Sequence, residues 1–219
     1  MPDSTALLLG ATGLVGGHLL PLLADGWARV VTLGRRPMPP AGPTHSHHVV
    51  DFDRLGEHEG LFACDALFCC LGTTMKQAGS KAAFRRVDLE IPAQAARLAA
   101  AGGATRVSLV SALGADPDSR VFYNRTKGEA EAAVRAAGLA STQIFRPSLL
   151  TGDRDETRLG EAVGELILGA ATPLLIGPLR TLRPTAARDV ARAQAAAARS
   201  GTSGVEVFDP VAIRRLAGG

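Results

Sequence analysis

Leu7-Leu8-Leu9-Gly10-Ala11-Thr12-Gly13-Leu14-Val15-Gly16-Gly17 is a short apolar run that breaks into three evenly spaced glycines and then turns apolar again. The run before Gly10 is too short for a helix and has no alternation, which predicts a strand buried on both faces. Leu14 to Leu23 reads as an apolar helix. Gly10 permits the tight turn between them, Gly13 lets backbone approach a pyrophosphate without a Cβ in the way, and Gly16 lets the helix lie close to its strand. Free N–H groups and the positive end of the helix dipole then face the phosphates, with Ala11, Thr12, Leu14 and Val15 completing the contact stretch.

Outward from this turn, Ala28 to Leu33 predicts a second strand, ended by Gly34-Arg35-Arg36-Pro37. About 20 positions beyond the glycines of a dinucleotide-binding unit, an acidic side chain usually accepts the ribose 2′-hydroxyl of NAD. Here Arg35 and Arg36 stand in that place. A guanidinium binds a 2′-phosphate bidentately where a carboxylate repels it, so the reading is NADP(H). His45-Ser46-His47-His48 follows a Pro-rich stretch and lacks Cys or paired Glu at ligand spacing, so a loop cluster rather than a metal site is expected. His48 enters a third strand that continues through Val49-Val50-Asp51-Phe52. Asp51, beside Phe52, is placed either to read an adenine amino group or to cap the next helix.

Asp65 to Leu71 reads as a fourth buried strand. The Gly72-Thr73-Thr74 turn after Leu71 permits close backbone approach and offers hydroxyls to phosphate or ribose. Residues 75–87 are polar and cationic, and Asp88 is expected to open a helix with Leu89, Ile91, Ala95, Leu98 and Ala99 on its apolar face, Pro92 lying in the first turn. Arg106 to Val110 predicts a fifth strand with Ser111 at its carboxyl end, the edge where open α/β sheets bind ligands. Unbroken strand–helix alternation indicates α/β architecture, a doubly wound parallel sheet.

At 219 residues the chain suits a single domain, 1–219, and 46% apolar with 21% charged residues is ordinary for a soluble globular protein. The net charge of +3 is spread out, with no basic run interleaved with aromatics, so no nucleic-acid partner is expected. The most lipid-like segment, Leu166 to Gly177, is broken by Pro173 and too short to span a bilayer, so no membrane partner is expected either. The N-terminus carries Asp3 and lacks the basic region of a signal peptide. Cys64, Cys69 and Cys70 fit neither a disulfide framework nor a spaced metal site, and read as reduced, buried thiols of a cytoplasmic protein.

Tyr123 is the chain's one tyrosine, and Lys127, one of three lysines, lies four residues later. Phe122 to Ala137 reads as a helix, so the two share a face one turn apart. A phenol shuttles protons poorly at neutral pH until its phenolate is stabilised, and an ammonium ~5 Å away at an effective dielectric near 20 supplies at most ~3 kcal/mol. Tyr123 is then placed to protonate a carbonyl oxygen as hydride reaches its carbon, with Ser111 hydrogen-bonding that oxygen and Lys127 also holding the ribose.

Gly10 to Gly16, the strand into Ser111, Tyr-x-x-x-Lys at 123 and 127, and Phe145-Arg146-Pro147-Ser148 together resemble the short-chain dehydrogenase/reductase superfamily. Phe68-Cys69-Cys70-Leu71-Gly72-Thr73-Thr74, Arg86-Val87-Asp88, Gly114-Ala115-Asp116, Lys127-Gly128-Glu129 and Asp153-Arg154 resemble its atypical, HIV Tat-interacting-protein-like NAD(P)-binding branch. The resemblance implies a Rossmann-type fold, NADP(H) at the glycine turn and at Arg35 and Arg36, Tyr123 and Lys127 in the catalytic places, and Arg146, Pro147 and Ser148 as the loop against the nicotinamide carboxamide. It departs at the serine, which in many superfamily members falls one residue later, on Ala112 here. A small substrate-side lobe is expected near the C-terminus, at about 148–185, followed by a helix over Ala186 to Ala198 and a last strand over Val205 to Phe208.

The expected function is an NADP(H)-dependent oxidoreductase acting on a small carbonyl compound or the corresponding alcohol, as a monomer or homodimer. The alternative is an NADP(H)-binding regulatory or scaffold protein with little or no turnover. A sugar-nucleotide epimerase ranks below both, because the large carboxyl-terminal lobe such enzymes need has no sequence to form it.

Overall fold

Seven parallel strands form the central sheet of the computed structural model, which describes residues 4–152 and 181–218. They are β1 (Thr5–Leu9), β2 (Arg29–Gly34), β3 (His45–Val49), β4 (Ala66–Cys69), β5 (Arg106–Val110), β6 (Ser141–Phe145) and β9 (Gly204–Phe208). Their spatial order is β3-β2-β1-β4-β5-β6-β9. The chain leaves β1 toward β2 on one side and returns to β4 on the other, so the winding reverses beside β1. That switch point opens a crevice beyond the carboxyl ends of β1 and β4.

The leucines of the opening run sit in the middle of this sheet. Leu8 packs on one face with Val15, Leu19 and Leu23 of α1 (Leu14–Gly26) and Val190 of α6 (Ala187–Arg199). Leu7 and Leu9 pack on the other with Leu55, Phe62 and the Ile91 and Ala95 side of α4 (Ile91–Ala101). All three leucines are fully buried, and burial of each such side chain is worth about 2 kcal/mol. Helices therefore cover both faces, and the doubly wound Rossmann-type sheet expected from the sequence is the one observed.

Two elements differ from expectation. The third strand does not run from His48 through Phe52 but is the histidine run itself, His45–Val49, paired with β2 so that Val30 faces His45 and Thr32 faces His47. What read as a loop cluster is an edge strand. Polar side chains suit it because Thr32, buried in β2, supplies hydroxyl partners to His45 and His47, while Val50 and Phe52 leave the sheet to bury themselves in the core. Asp51 caps the irregular helical segment Phe52–Phe62, its carboxylate accepting the N–H of Asp53 at 2.9 Å.

The helix expected to open at Asp88 begins earlier. It starts at α3 (Lys81–Arg85), capped by Ser80, and runs through a widened π turn over Arg86–Glu90 into α4. Across that turn Ile91 N–H donates to the Arg86 carbonyl five residues back, and Pro92, with no N–H to donate, follows directly. Of its cationic residues Lys81 is exposed, while Arg85 pairs with Glu129 and Arg86 with Asp53, and Phe84 is buried.

The lobe expected at about 148–185 lies largely over 153–180, outside the described residues. Its described ends meet as a short parallel pair, β7 (Leu150–Thr151) with β8 (Thr185–Ala186). No helix among the described residues is long and apolar enough to cross a membrane.

Candidate functional site

The glycine turn is drawn tight against the sheet edge. Gly10 has φ +88°, and a Cβ there would lie 2.6 Å from the Cys70 carbonyl oxygen. A Cβ on Gly16 would lie 2.1 Å from the Gly10 carbonyl oxygen, so the helix closes on the turn directly after the strand it was expected to lie against. Gly13 is the N-cap of α1 and brings no side-chain acceptor to the first-turn N–H groups, which leaves the helix terminus for an anion. This is the donor arrangement that a dinucleotide's pyrophosphate requires, and Gly10 to Gly16 would hold it.

Across the crevice, Leu71 to Thr74 leaves β4. Thr74 caps the short α2 (Met75–Ala78), and the N–H of Thr73 donates to Asp88 Oδ2 at 2.9 Å. The other Asp88 oxygen is 2.6 Å from Lys127 Nζ, and both side chains are buried. The π turn is what aims this carboxylate inward. Burial opposes the Lys127 charge, but Asp88 and the Tyr123 phenol outweigh it and hold the ammonium above its ordinary range. One buried aspartate thus ties the 71–74 loop to the helix that carries the tyrosine.

That helix, α5 (Phe122–Arg135), places Tyr123 and Lys127 on one face as the four-residue spacing predicts. Tyr123 is 38% exposed, so its phenol reaches open space while its ring leans on Phe84, 5.6 Å away between centroids. Glu131, one further turn along, is buried. It accepts from Ser111 Oγ at 2.6 Å, from Arg146 Nε at 2.8 Å and Nη2 at 2.6 Å, and from Arg135 Nη2 at 3.3 Å. The two-pronged bond to Glu131 holds the Arg146 guanidinium above its ordinary pKa, against partial burial.

Ser111 stands at the end of β5 as expected, but its hydroxyl is given to Glu131. The backbone around it is knitted to the next strand: Ser111 N–H donates to the Phe145 carbonyl and Leu113 N–H to the Pro147 carbonyl. Ser148 bonds the Thr185 hydroxyl at 2.9 Å and donates to the Arg183 carbonyl, so the Arg146-Pro147-Ser148 loop holds the strand returning at β8. Arg35 and Arg36 are exposed at the end of β2. Their loop is tethered where the Arg36 carbonyl accepts from His47 Nε2 at 2.9 Å.

The three cysteines are free. Burial pushes the Cys64 thiol up to about 12 and the Cys69 thiol up to about 11, and raises Cys70 as well, so none is a ready nucleophile. Among the described residues no three His, Cys, Asp or Glu side chains gather as a metal site.

The sequence marks Asp88 only as the opening of a helix and as part of the Arg86-Val87-Asp88 motif, not as the partner of Lys127, and it does not single out Glu131. Glu131 was findable, since 123, 127 and 131 share one helical face. Asp88 was hidden by the π turn, which breaks the 3.6-residue register that would have shown it facing inward.

Comparison with known proteins agrees with this geometry. Residues 10–171 match the model of a family described as NAD(P)H-binding. Protein HTATIP2 of Rattus norvegicus is 36% identical over 176 residues, covering 78% of this chain and 72% of that protein. The mitochondrial protein FMP52 of Coccidioides immitis is 31% identical over 238 residues, covering 98% of this chain and 94% of the relative. Among solved structures, MoeE5 in complex with UDP-glucose and NAD superposes with TM-score 0.70 at 19% identity, over 93% of this chain and 75% of that one. A UDP-N-acetylglucosamine 4-epimerase from Methanobrevibacter ruminantium does so with TM-score 0.71 at 14% identity, over 95% and 77%. These last two share the fold. A glycine cradle at the switch point of a parallel sheet, a family model over most of the length and relatives matched well beyond the motif lead to one conclusion: the chain belongs to the NAD(P)H-binding family, with HTATIP2 and FMP52 among its atypical short-chain dehydrogenase/reductase-like relatives.

Proposed function

We propose that the protein is an NADP(H)-dependent oxidoreductase that reduces a small carbonyl compound, or oxidises the corresponding alcohol. One observation carries the reading: Tyr123 and Lys127 lie one turn apart on α5, which Asp88 ties to the loop beside the glycine cradle. Bound NADPH supplies the hydride. Gly10 to Gly16 hold the pyrophosphate, Arg35 and Arg36 the 2′-phosphate, and Leu71 to Thr74 with Arg146 to Ser148 flank the remainder. Tyr123 donates a proton to the substrate oxygen, and Lys127 holds the ribose and steadies the phenolate left behind. The Asp51 carboxylate is engaged as a cap, accepting the Asp53 N–H. Three free thiols suit a reducing compartment, which both the expected cytoplasm and the mitochondrial names of the fungal relatives satisfy.

The test is NADPH oxidation against a panel of small aldehydes and ketones. Tyr123→Phe is expected to cut turnover at least 100-fold and leave NADPH affinity within twofold. Unchanged turnover removes Tyr123 as the acid.

A second reading, a cofactor-binding regulatory protein with little turnover, is favoured by two contacts. Asp88 offsets the Lys127 charge that would activate the phenol, and Glu131 occupies the Ser111 hydroxyl that would bind the substrate oxygen. NADPH binding with no oxidation of it across the panel supports that reading instead.

A further inference from the structure

Four hydrogen bonds run in series through the two strands at the sheet edge. Ala41 N–H meets His45 Nδ1 at 2.9 Å, His45 Nε2 meets the Thr32 hydroxyl at 2.8 Å, that hydroxyl meets His47 Nδ1 at 2.8 Å, and His47 Nε2 meets the Arg36 carbonyl at 2.9 Å. The two ends are a pure donor and a pure acceptor, so with neutral rings one proton arrangement satisfies all four. Ala41 donates to His45, His45 to Thr32, Thr32 to His47, and His47 to Arg36. Both ends of the series fall on the loop between β2 and β3, one at Arg36 and the other five residues later at Ala41.

We propose that His45 and His47 are positioning residues for cofactor selectivity, clamping the loop that presents Arg35 and Arg36 to the 2′-phosphate, and that protonating His45 opens the clamp. This rests on the assignment of those arginines to the 2′-phosphate. A protonated His45 turns an N–H toward the Ala41 N–H, donor against donor, and that end lets go. The groups facing His45 from β2 and from the loop are Thr32 and Ala41, with Met38 against the same Thr32 hydroxyl, and none of them carries charge. The titratable neighbour is His47, on its own strand. Burial and His47 together lower the His45 pKa from its ordinary 6.5, so the clamp is closed at neutral pH and opens in mild acid.

The experiment measures NADPH and NADH affinity at pH 7.5 and pH 5.0 by fluorescence titration of wild type, His45→Asn and His47→Ala. The 2′-phosphate has its own second ionisation near pH ~6, which weakens NADPH in acid for every variant, so the readout is the difference between variants. Asn keeps an acceptor near the Nδ1 position and does not titrate. Wild type is expected to lose at least fivefold more of its NADPH-over-NADH preference in acid than His45→Asn does. His47→Ala, lacking the donor to Arg36, is expected to lose at least threefold of the preference already at pH 7.5. Identical acid responses in wild type and His45→Asn, or an undiminished preference in His47→Ala, overturn the clamp while leaving the arginine assignment intact. Equal NADPH and NADH affinity in wild type at pH 7.5 overturns both.

Discussion

Asp88 is the residue on which the site turns. Its carboxylate serves a backbone N–H of the 71–74 loop with one oxygen and a buried ammonium with the other. Removing one partner of such a pair strands the other in a poorly solvated place, which costs about 3 to 5 kcal/mol. Asp88→Asn is expected to fall near the lower end, because the amide still offers an oxygen to Thr73. The same pair sets a pH dependence. Lys127 is held above the ordinary lysine value of 10.5, so its contribution is complete below that value and is lost as pH rises through the higher folded one. Urea midpoints measured from pH 8 to 11.5 should fall steeply above about pH 10.5 in wild type and more shallowly in Asp88→Asn; parallel curves would mean the pair is not what couples them.

Among the elements, α5 depends most on a close approach. Gly128, between Lys127 and Glu131, lies against the loop before the helix, where a Cβ would come within 2.2 Å of the Asp116 carbonyl carbon and the Pro117 nitrogen. Neither is the flexible tip of a side chain, so Gly128→Ala must lift the helix or the loop. A strain of about 3 kcal/mol is expected, at the upper end of overpacking costs. For a chain of this size that lowers the thermal midpoint by roughly 6 to 12 °C. Because Tyr123 and Lys127 ride on the same helix, NADPH turnover should fall with it. A midpoint within 2 °C of wild type would show that the loop yields without cost.

For the molecule as a whole, the sheet order sets the reach of the cofactor. The glycine cradle lies beyond β1, Arg35 and Arg36 beyond its neighbour β2, and Ser111 and Arg146 beyond β5 and β6 on the other side, so these residues line one edge of the sheet. Binding at that edge stabilises the folded state by about 2.7 kcal/mol at one hundred times Kd. NADPH at such a concentration should raise the thermal midpoint by roughly 5 to 11 °C. NADH at the same concentration should raise it less, and Arg35→Ala/Arg36→Ala should bring the two together. Equal shifts in wild type would count against the arginine assignment.

Much of this molecule was legible along the chain because its signals are local. Three leucines followed by glycines at 10, 13 and 16 demand a buried strand, a tight turn and a helix, and consecutive units of that kind close into a parallel sheet. Tyr123 and Lys127 were legible for the same reason, as one helical turn fixes their common face. The partners of those residues were not. Asp88 meets Lys127, 39 positions further along the chain, through a π turn that sequence periodicity cannot register, and Glu131 takes the Ser111 hydroxyl only because two strands and a helix converge there. The histidines likewise read as loop, since their fitness for an edge strand depends on a threonine in the neighbouring strand. Local spacing decides where backbone bends and which side chains share a face; which charge answers which, and which hydroxyl remains for a substrate, is decided only when distant segments are packed together.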